Sequence, residues 1–64
     1  MFEYLFVLCT PKASGIHQVS SVNGEAVLEQ PRIWEYANRL GRNGWELISK
    51  EETTYVFKRY TERP

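Results

Sequence analysis

Apolar residues fall in short runs along this chain, and the spacing within each run predicts its secondary structure. Residues 2–10, FEYLFVLCT, are mostly aromatic or branched and are followed at once by Pro11, which predicts a strand. Residues 54–60, TYVFKRY, predict a second strand for the same reason. Residues 45–49 predict a third, and the short polar link between the last two predicts a hairpin.

The first strand lacks the alternation of apolar and polar residues that a half-exposed strand shows. Both of its faces are apolar, with Phe2, Tyr4, Phe6 and Leu8 on one and Leu5, Val7 and Cys9 on the other. Strands of this type are usually covered on both sides, so we expect something to cover each face of this one.

One helix is predicted, over residues 31–43. Pro31 suits the first position of a helix because its missing N–H needs no partner there, and Gly44 can adopt the left-handed conformation that ends one. At 3.6 residues per turn, the apolar residues of this segment share one broad face and its arginines lie on the other side. The helix is therefore expected to lie on the sheet.

The segment over residues 11–24 is polar and has little periodicity, so most of it is expected to be a connection. Within it, Asn23-Gly24 suits the two positive φ angles of a type I′ turn. Residues 19–22 and 25–28 are then the arms of a further hairpin, although their apolar residues do not alternate cleanly.

We expect any individual function of this chain to lie in residues 12–24. The composition of this segment suggests that it contributes little to the core, and connections of this kind often carry recognition. The candidate binding residues there are Lys12, Ser14 and His17. The expectation implies that a short Gly-Ser turn could replace the segment without unfolding the protein.

These elements predict a single α+β domain over residues 1–64, in the order β(-β-hairpin)-α-β-β. A three- or four-stranded, mainly antiparallel sheet would carry one helix packed on one face. Because one helix covers only one face and the strands are apolar on both, we expect the other face to pack against another copy of the chain. The candidate interface residues are Leu5, Val7, Tyr55 and Phe57.

The run NRLGRNGWELIS, residues 38–49, resembles a family of very small bacterial and phage domains of unknown function. The matching positions are Asn38, Leu40, Gly41, Gly44, Trp45, Glu46 and Leu47. The opening Phe2, Glu3, Tyr4 and Val7 and the closing Phe57, Lys58 and Arg59 are similar to the terminal strands of that family. The resemblance implies a strand, helix, strand, strand arrangement and no established activity. Residues 12–28 are longer than the connection it implies.

Packing alone also accounts for the glycine-tryptophan motif. Gly41 is expected to let the helix backbone approach the sheet, Gly44 to turn the chain, and Trp45 to place its ring under the helix. Glu46 is a candidate interface residue because its carboxylate lies among apolar neighbours, where a buried acid needs a partner. Arg59, Lys58 or Arg42, of the same or another chain, could supply that partner, and a solvated strand residue is the equal alternative.

Composition and charge restrict the function further. The eight basic and eight acidic residues cancel, which removes the electrostatic footprint of most nucleic-acid binders. A nucleic-acid-associated protein that uses Arg32, Arg39 and Arg42 remains an alternative. Cys9 is the single cysteine, which excludes an internal disulfide and favours a reducing, cytoplasmic location. We expect no membrane segment and no signal peptide.

Catalytic chemistry has little support in the sequence. The chain has one histidine and no aspartate, so a metal site is disfavoured, and Cys9 reads as a small buried hydrophobe. The Pro11–Gly15 loop offers N–H groups to an anion but matches no phosphate-binding spacing. We therefore expect a non-enzymatic, homo-oligomeric module of bacterial or phage origin that takes a protein or small-ligand partner and no cofactor; a small enzyme is the last alternative.

Overall fold

The computed structural model describes residues 1–13 and 15–62 of the chain. The strands are β1 (Phe2–Pro11), β2 (His17–Val22), β3 (Glu25–Ala26), β4 (Glu46–Glu51) and β5 (Thr54–Tyr60), and the helix α1 (Ile33–Arg42) follows β3. All strand pairs are antiparallel, in the order β3-β2-β1-β5-β4. The α+β class is confirmed, but the expected count of three or four strands is wrong because the described residues form five.

The additional strands come from the hairpin at Asn23-Gly24. Both turn residues have positive φ, 51° for Asn23 and 85° for Gly24, as a type I′ turn requires. Asn23 also fixes the turn to β1, since its Oδ1 accepts a hydrogen bond of 2.8 Å from the Phe6 N–H and its own N–H donates one of 2.8 Å to the Phe6 carbonyl. The predicted hairpin is therefore present, with arms at His17–Val22 and Glu25–Ala26 in place of the predicted 19–22 and 25–28.

Strand β1 is the middle of the sheet and pairs on both of its sides. It pairs with β5 along its N-terminal seven residues, from Phe2 opposite Tyr60 to Leu8 opposite Thr54. It pairs with β2 from Val7 onward, with an irregularity in the register beside Leu8. The first and last strands of the chain are thus neighbours, and their register determines which side chains of β1 and β5 lie next to each other on each face.

The buried core lies on one face of the sheet, which we call the core face. Its members are Val7, Cys9, Val19, Leu40, Tyr55 and Phe57. Leu40 comes from α1, and partly buried Ile33, Tyr36 and Ala37 of the same helix pack against this cluster. The segment over residues 12–24 contributes the fully buried Val19, so the expectation that this segment adds little to the core is wrong.

The predicted interface residues belong to this core. Val7 is 0% exposed, Phe57 2% and Tyr55 7%, while Leu5 packs against the cluster as a partly buried neighbour. Their assignment to the uncovered face of the sheet is therefore wrong. The sequence offered no contrast between the two rows of β1, because both are apolar; pairing with β5 and β2 decides which row joins the core.

The helix is shorter than predicted at its N-terminal end. Pro31 lies outside it, since Arg32 has an extended backbone (φ −65°, ψ 144°) and pairs with Gln18 in an isolated antiparallel bridge. The Pro31 carbonyl accepts a hydrogen bond of 2.8 Å from the Val19 N–H. The residues before α1 thus continue the edge of the sheet beside β2, which competes with helix formation there.

The C-terminal end of α1 follows the prediction. Gly44 has φ 87°, its N–H donates to the Gly41 carbonyl at 3.1 Å, and the Trp45 N–H donates to the Leu40 carbonyl at 3.0 Å. These two bonds form the Schellman motif, which satisfies carbonyls that the helix leaves free. The expected role of Gly41 is wrong, because a Cβ built on it would meet nothing within 4 Å.

Candidate binding surface on the open sheet face

The face of the sheet opposite the core face carries the largest set of exposed apolar side chains, and we call it the open face. Side chains alternate between faces along a strand, so this face carries the even-numbered residues of β1 and β5. Cross-strand pairing arranges them in four rows. They are row 1, Phe2 and Tyr60; row 2, Tyr4 and Lys58; row 3, Phe6 and Val56; and row 4, Leu8 and Thr54.

The apolar residues of the open face are about half exposed to solvent. On β1 the exposed fraction is 50% for Phe2 and Tyr4, 53% for Phe6 and 43% for Leu8, and Tyr60 of β5 is 62% exposed. Consecutive exposed apolar side chains along one face of the middle strand of a sheet are unusual. Single exposed apolar residues are common, but contiguous patches mark binding surfaces.

The rings in row 1 are ordered by contact with each other. Phe2 and Tyr60 meet edge to face, with ring centroids 5.5 Å apart and an interplanar angle of 74°. Pairs of this geometry add about 0.5–1.5 kcal/mol beyond the area they bury. This end of the open face is therefore an organised aromatic surface.

Lys58 is the one cation in these rows within the described chain. Its Nζ lies 4.9 Å from the centroid of the Phe2 ring, so the ammonium leans along the face toward row 1. Glu46 is its direct partner across the β4–β5 pair. Lys58 and Glu46 form no ion pair. Within residues 1–13 and 15–62, the one salt bridge joins Arg59 to Glu3.

Polar residues border the apolar rows on both sides. On β4, Glu46 lies beside row 2, Ser49 beside row 3 and Glu51 beside row 4. On β2, Ser21 lies beside row 4. An apolar centre with a polar rim is the anatomy of protein–protein interfaces.

Arg59, which we predicted as an interface residue beside Glu46, lies in another environment. Its Nη2 donates to Glu3 Oε1 at 3.1 Å, and its Nη1 donates to the Asn43 carbonyl at 3.3 Å. Its guanidinium lies 4.4 Å from the centroid of the Trp45 ring. The pairing of Glu46 with Arg59, one of three partners considered for it, is therefore not formed. The cross-strand register gives the reason, since Arg59 is opposite Glu3, whereas Glu46 is opposite Lys58.

The candidate residues of the segment over 12–24 do not come together as a site. His17 lies in β2, and its Nδ1 is 3.1 Å from the hydroxyl oxygen of Tyr55, so it is a partly buried strand residue and not part of the expected connection. Lys12 is exposed, and Ser14 lies outside the described residues. The Lys12 N–H donates to Ile16 and the Gly15 N–H to Lys12, so neither is free to bind an anion.

Two buried titratable groups lie beside each other on the core face. Burial raises the pKa of the Cys9 thiol. Burial also raises the pKa of the Tyr55 hydroxyl, with a smaller contribution from Cys9. Both groups therefore stay protonated at neutral pH, and a cysteine in such surroundings is a weak nucleophile.

The remaining chemistry is sparse. Across residues 1–13 and 15–62, no three histidine, cysteine or acidic side chains are close enough together to hold a metal ion. In that part of the chain, no helix is both long and apolar enough to cross a membrane.

Two arginines contact aromatic rings on α1 and just before it. Arg32 lies 5.5 Å from the Trp34 ring, and Arg39 lies 5.8 Å from the Tyr36 ring.

No protein-family model, curated protein or solved structure matches this chain. The resemblance of residues 38–49 to a family of small domains thus stays a prediction. The surface described above includes residues that were not predicted as site residues, namely Phe2, Tyr4, Phe6, Leu8 and Tyr60, and it includes Lys58, which was predicted only as a possible partner of Glu46. No local signal in the sequence separates the exposed side chains of β1 from those that join the core, because both sets are apolar.

Proposed function

We propose that this protein is a non-enzymatic, self-associating binding module, in which α1 covers the core face and a second copy covers the open face. The observation that carries the proposal is the row of four half-exposed apolar side chains on the middle strand of the sheet.

The exposed apolar area of the open face supports self-association. Five large side chains on it are between 43% and 62% exposed. Because an aromatic side chain offers about 150–250 Å², these five expose on the order of 500 Å², the upper range for a patch on a monomer. Val56, Lys58, Thr54 and the polar rim bring the face toward the roughly 800 Å² per partner of a standard interface.

The charges of the open face favour a second copy over a nucleic acid. Lys58 is accompanied by two rim carboxylates, Glu46 and Glu51, and a phosphate backbone would meet repulsion there. Two copies of a face with both signs of charge can complement each other. The zero net charge of the whole chain likewise places no electrostatic barrier between two copies.

Pairing of edge strands is a poorer route to a dimer. The edge strand β3 has only two residues. The other edge, β4, has an irregular register around Ile48 and carries three charged residues among six. If two β4 strands paired antiparallel with matching faces, Glu46 of each copy would lie opposite Glu51 of the other, which is destabilising.

The proposal is tested by placing a charge on the open face. Phe6→Lys would bury a lysine in the interface, so the variant should be a monomer by size-exclusion chromatography with light scattering at concentrations where the wild type is a dimer. Trp34→Lys is the matched control, because Trp34 is 52% exposed and Phe6 53%, but Trp34 lies on α1. Loss of the dimer in both variants, or in neither, would contradict the proposal.

A second candidate function is nucleic-acid association through α1. The observation that favours it is the pair of arginine–aromatic contacts, Arg32 with Trp34 and Arg39 with Tyr36, which present guanidinium groups and rings on the helix. Affinity for a labelled single strand that falls steeply with salt, and that is lost in an Arg32→Ala, Arg39→Ala variant, would support this function. Binding that salt does not change would exclude it.

A further inference from the structure

The four rows of the open face differ in side-chain size. Rows 1 and 2 hold three aromatic rings and a lysine, whereas rows 3 and 4 hold one ring together with Val56, Leu8 and Thr54. One end of the face is therefore bulky and the other end is small. A second copy that lies on this face must match this gradient, because packed sheets keep a separation of about 10 Å and leave few voids.

Two-fold symmetry allows two simple arrangements of packed sheets with aligned strands. If the axis runs along the strands, each row faces the same row of the second copy. If the axis runs across β1 and β5 between rows 2 and 3, row 1 faces row 4 of the second copy and row 2 faces row 3. The first arrangement places bulky on bulky and small on small; the second places bulky on small throughout.

The position of the Lys58 ammonium distinguishes between these two arrangements more clearly than side-chain size does. Its Nζ lies over the Phe2 ring and hence in row 1. An axis along the strands would bring the ammonium groups of both copies into the same row, where like charges repel in a desolvated interface. An axis across the strands places them at opposite ends, three rows or roughly 20 Å apart.

The across-strand arrangement also brings opposite charges to the same end of the interface. Row 4 continues onto β4 as Glu51, the cross-strand partner of Thr54. The ammonium of one copy, in row 1, therefore meets the end of the second copy that carries this carboxylate. Interface charges that complement each other in this way fix the register of two partners.

We propose that two copies of this chain pack open face to open face about a two-fold axis that crosses β1 and β5 between rows 2 and 3. Phe2 of each copy then lies against Leu8 and Thr54 of the second copy, and Tyr4 lies near Phe6 of the second copy. This inference rests on the proposed function, because it specifies how the second copy lies on the open face.

Cysteine crosslinking tests the arrangement. Phe2→Cys and Leu8→Cys variants are mixed, unfolded, refolded together and treated with a bifunctional thiol reagent that spans packed sheets, about 10 Å. We expect a crosslinked dimer from the mixture and only a trace from either variant alone. Both positions are half exposed, so each variant should fold, and wild-type protein controls for the buried Cys9.

The alternatives give different patterns. Crosslinking of Phe2→Cys with itself, or with Tyr60→Cys but not with Leu8→Cys, would overturn the inference and indicate an axis along the strands. A wild-type protein that is a monomer by light scattering would instead overturn the proposed function. The two failures are thus distinguishable.

Nuclear magnetic resonance of the wild-type protein gives an independent test without substitutions. Phe2 and Leu8 of one chain are six residues apart along a strand, roughly 20 Å, so their side chains cannot meet within one copy. We expect nuclear Overhauser contacts between the Phe2 ring and the Leu8 methyl groups in a mixed sample of labelled and unlabelled chains. Absence of these contacts in a sample that is dimeric would overturn the arrangement.

Discussion

The two tryptophans of the chain lie in different environments. Trp45 is a partly buried neighbour of the core cluster, and the Arg59 guanidinium stacks on its ring at 4.4 Å. Trp34 is 52% exposed on α1. The same residue type therefore contributes to folding at one position and to the outer surface at the other, and a single substitution can separate the two contributions.

We predict that Trp45→Ala destabilises the protein by about 2–4 kcal/mol, because it removes ring packing against the core and the contact with Arg59. In a domain of this size most of the stability would be lost. Trp34→Ala is the matched control and should change the free energy of unfolding by less than about 1 kcal/mol. Chemical denaturation measures both values. Equal effects of the two substitutions would contradict the placement of Trp45.

The buried Tyr55 predicts a dependence of stability on alkaline pH. Burial raises the pKa of its hydroxyl in the folded state, so the folded protein holds this proton to higher pH than the unfolded chain does. The unfolded state then binds fewer protons, and the free energy of unfolding should fall as the pH rises above about 10, the usual pKa of tyrosine.

Cys9 adds to the same decline, because burial raises the pKa of its thiol as well. Denaturation at several pH values between about 8 and 11 should therefore show a plateau followed by a loss of stability. Tyr55→Phe removes one of the two groups and should make the loss less steep. A variant with the same slope as the wild type would show that Tyr55 does not couple to folding.

At the scale of secondary-structure elements, turn and cap residues predicted more than hydrophobic periodicity did. Asn23-Gly24 and Gly44 were assigned from residue type alone, and all three have the positive φ angles that those assignments require. Strand β5 was predicted with its observed bounds. These features depend on local backbone preferences, which a sequence displays directly.

Features that depend on long-range pairing could not be predicted. Val19 lies in a predicted hairpin arm of a segment that was expected to add little to the core, yet pairing with β1 buries it fully. Arg59 pairs with Glu3 because β1 and β5 are neighbours, although the two residues are 56 positions apart. The two apolar rows of β1 gave no local reason to choose one as core, so the candidate interface was placed on the wrong row.

The two glycines at the end of α1 give opposite predictions for the same substitution. Gly44→Ala should destabilise the protein by about 1 kcal/mol or more, because φ is 87°, a backbone conformation that strains any residue with a Cβ. Gly41→Ala should stabilise it by up to about 1 kcal/mol, because Gly41 is helical and nothing lies within 4 Å of the added Cβ.

Thermal unfolding followed by circular dichroism measures both glycine variants against the wild type. The expected shifts of the midpoint are downward for Gly44→Ala and upward for Gly41→Ala. A lower midpoint for both would mean that Gly41 is needed for close approach of the helix, as the sequence alone had suggested.

At the scale of the whole molecule, one face of the sheet carries the buried cluster and the other carries half-exposed apolar side chains. The core face holds the residues that the chain buries by itself, namely the cluster around Val7, Val19 and Phe57. Four apolar side chains of β1 on the open face, those of Phe2, Tyr4, Phe6 and Leu8, each stay at least 43% exposed within the described chain. In the proposed dimer a second copy would bury these side chains, and the same surface would supply both halves of the interface.

Sedimentation equilibrium of the wild-type protein over a range of micromolar concentrations tests this account most directly. We expect a mass twice the 7.5 kDa of one chain, with dissociation to the single chain on dilution. A mass of 7.5 kDa at every concentration would contradict it and show that the open face of the isolated protein stays uncovered.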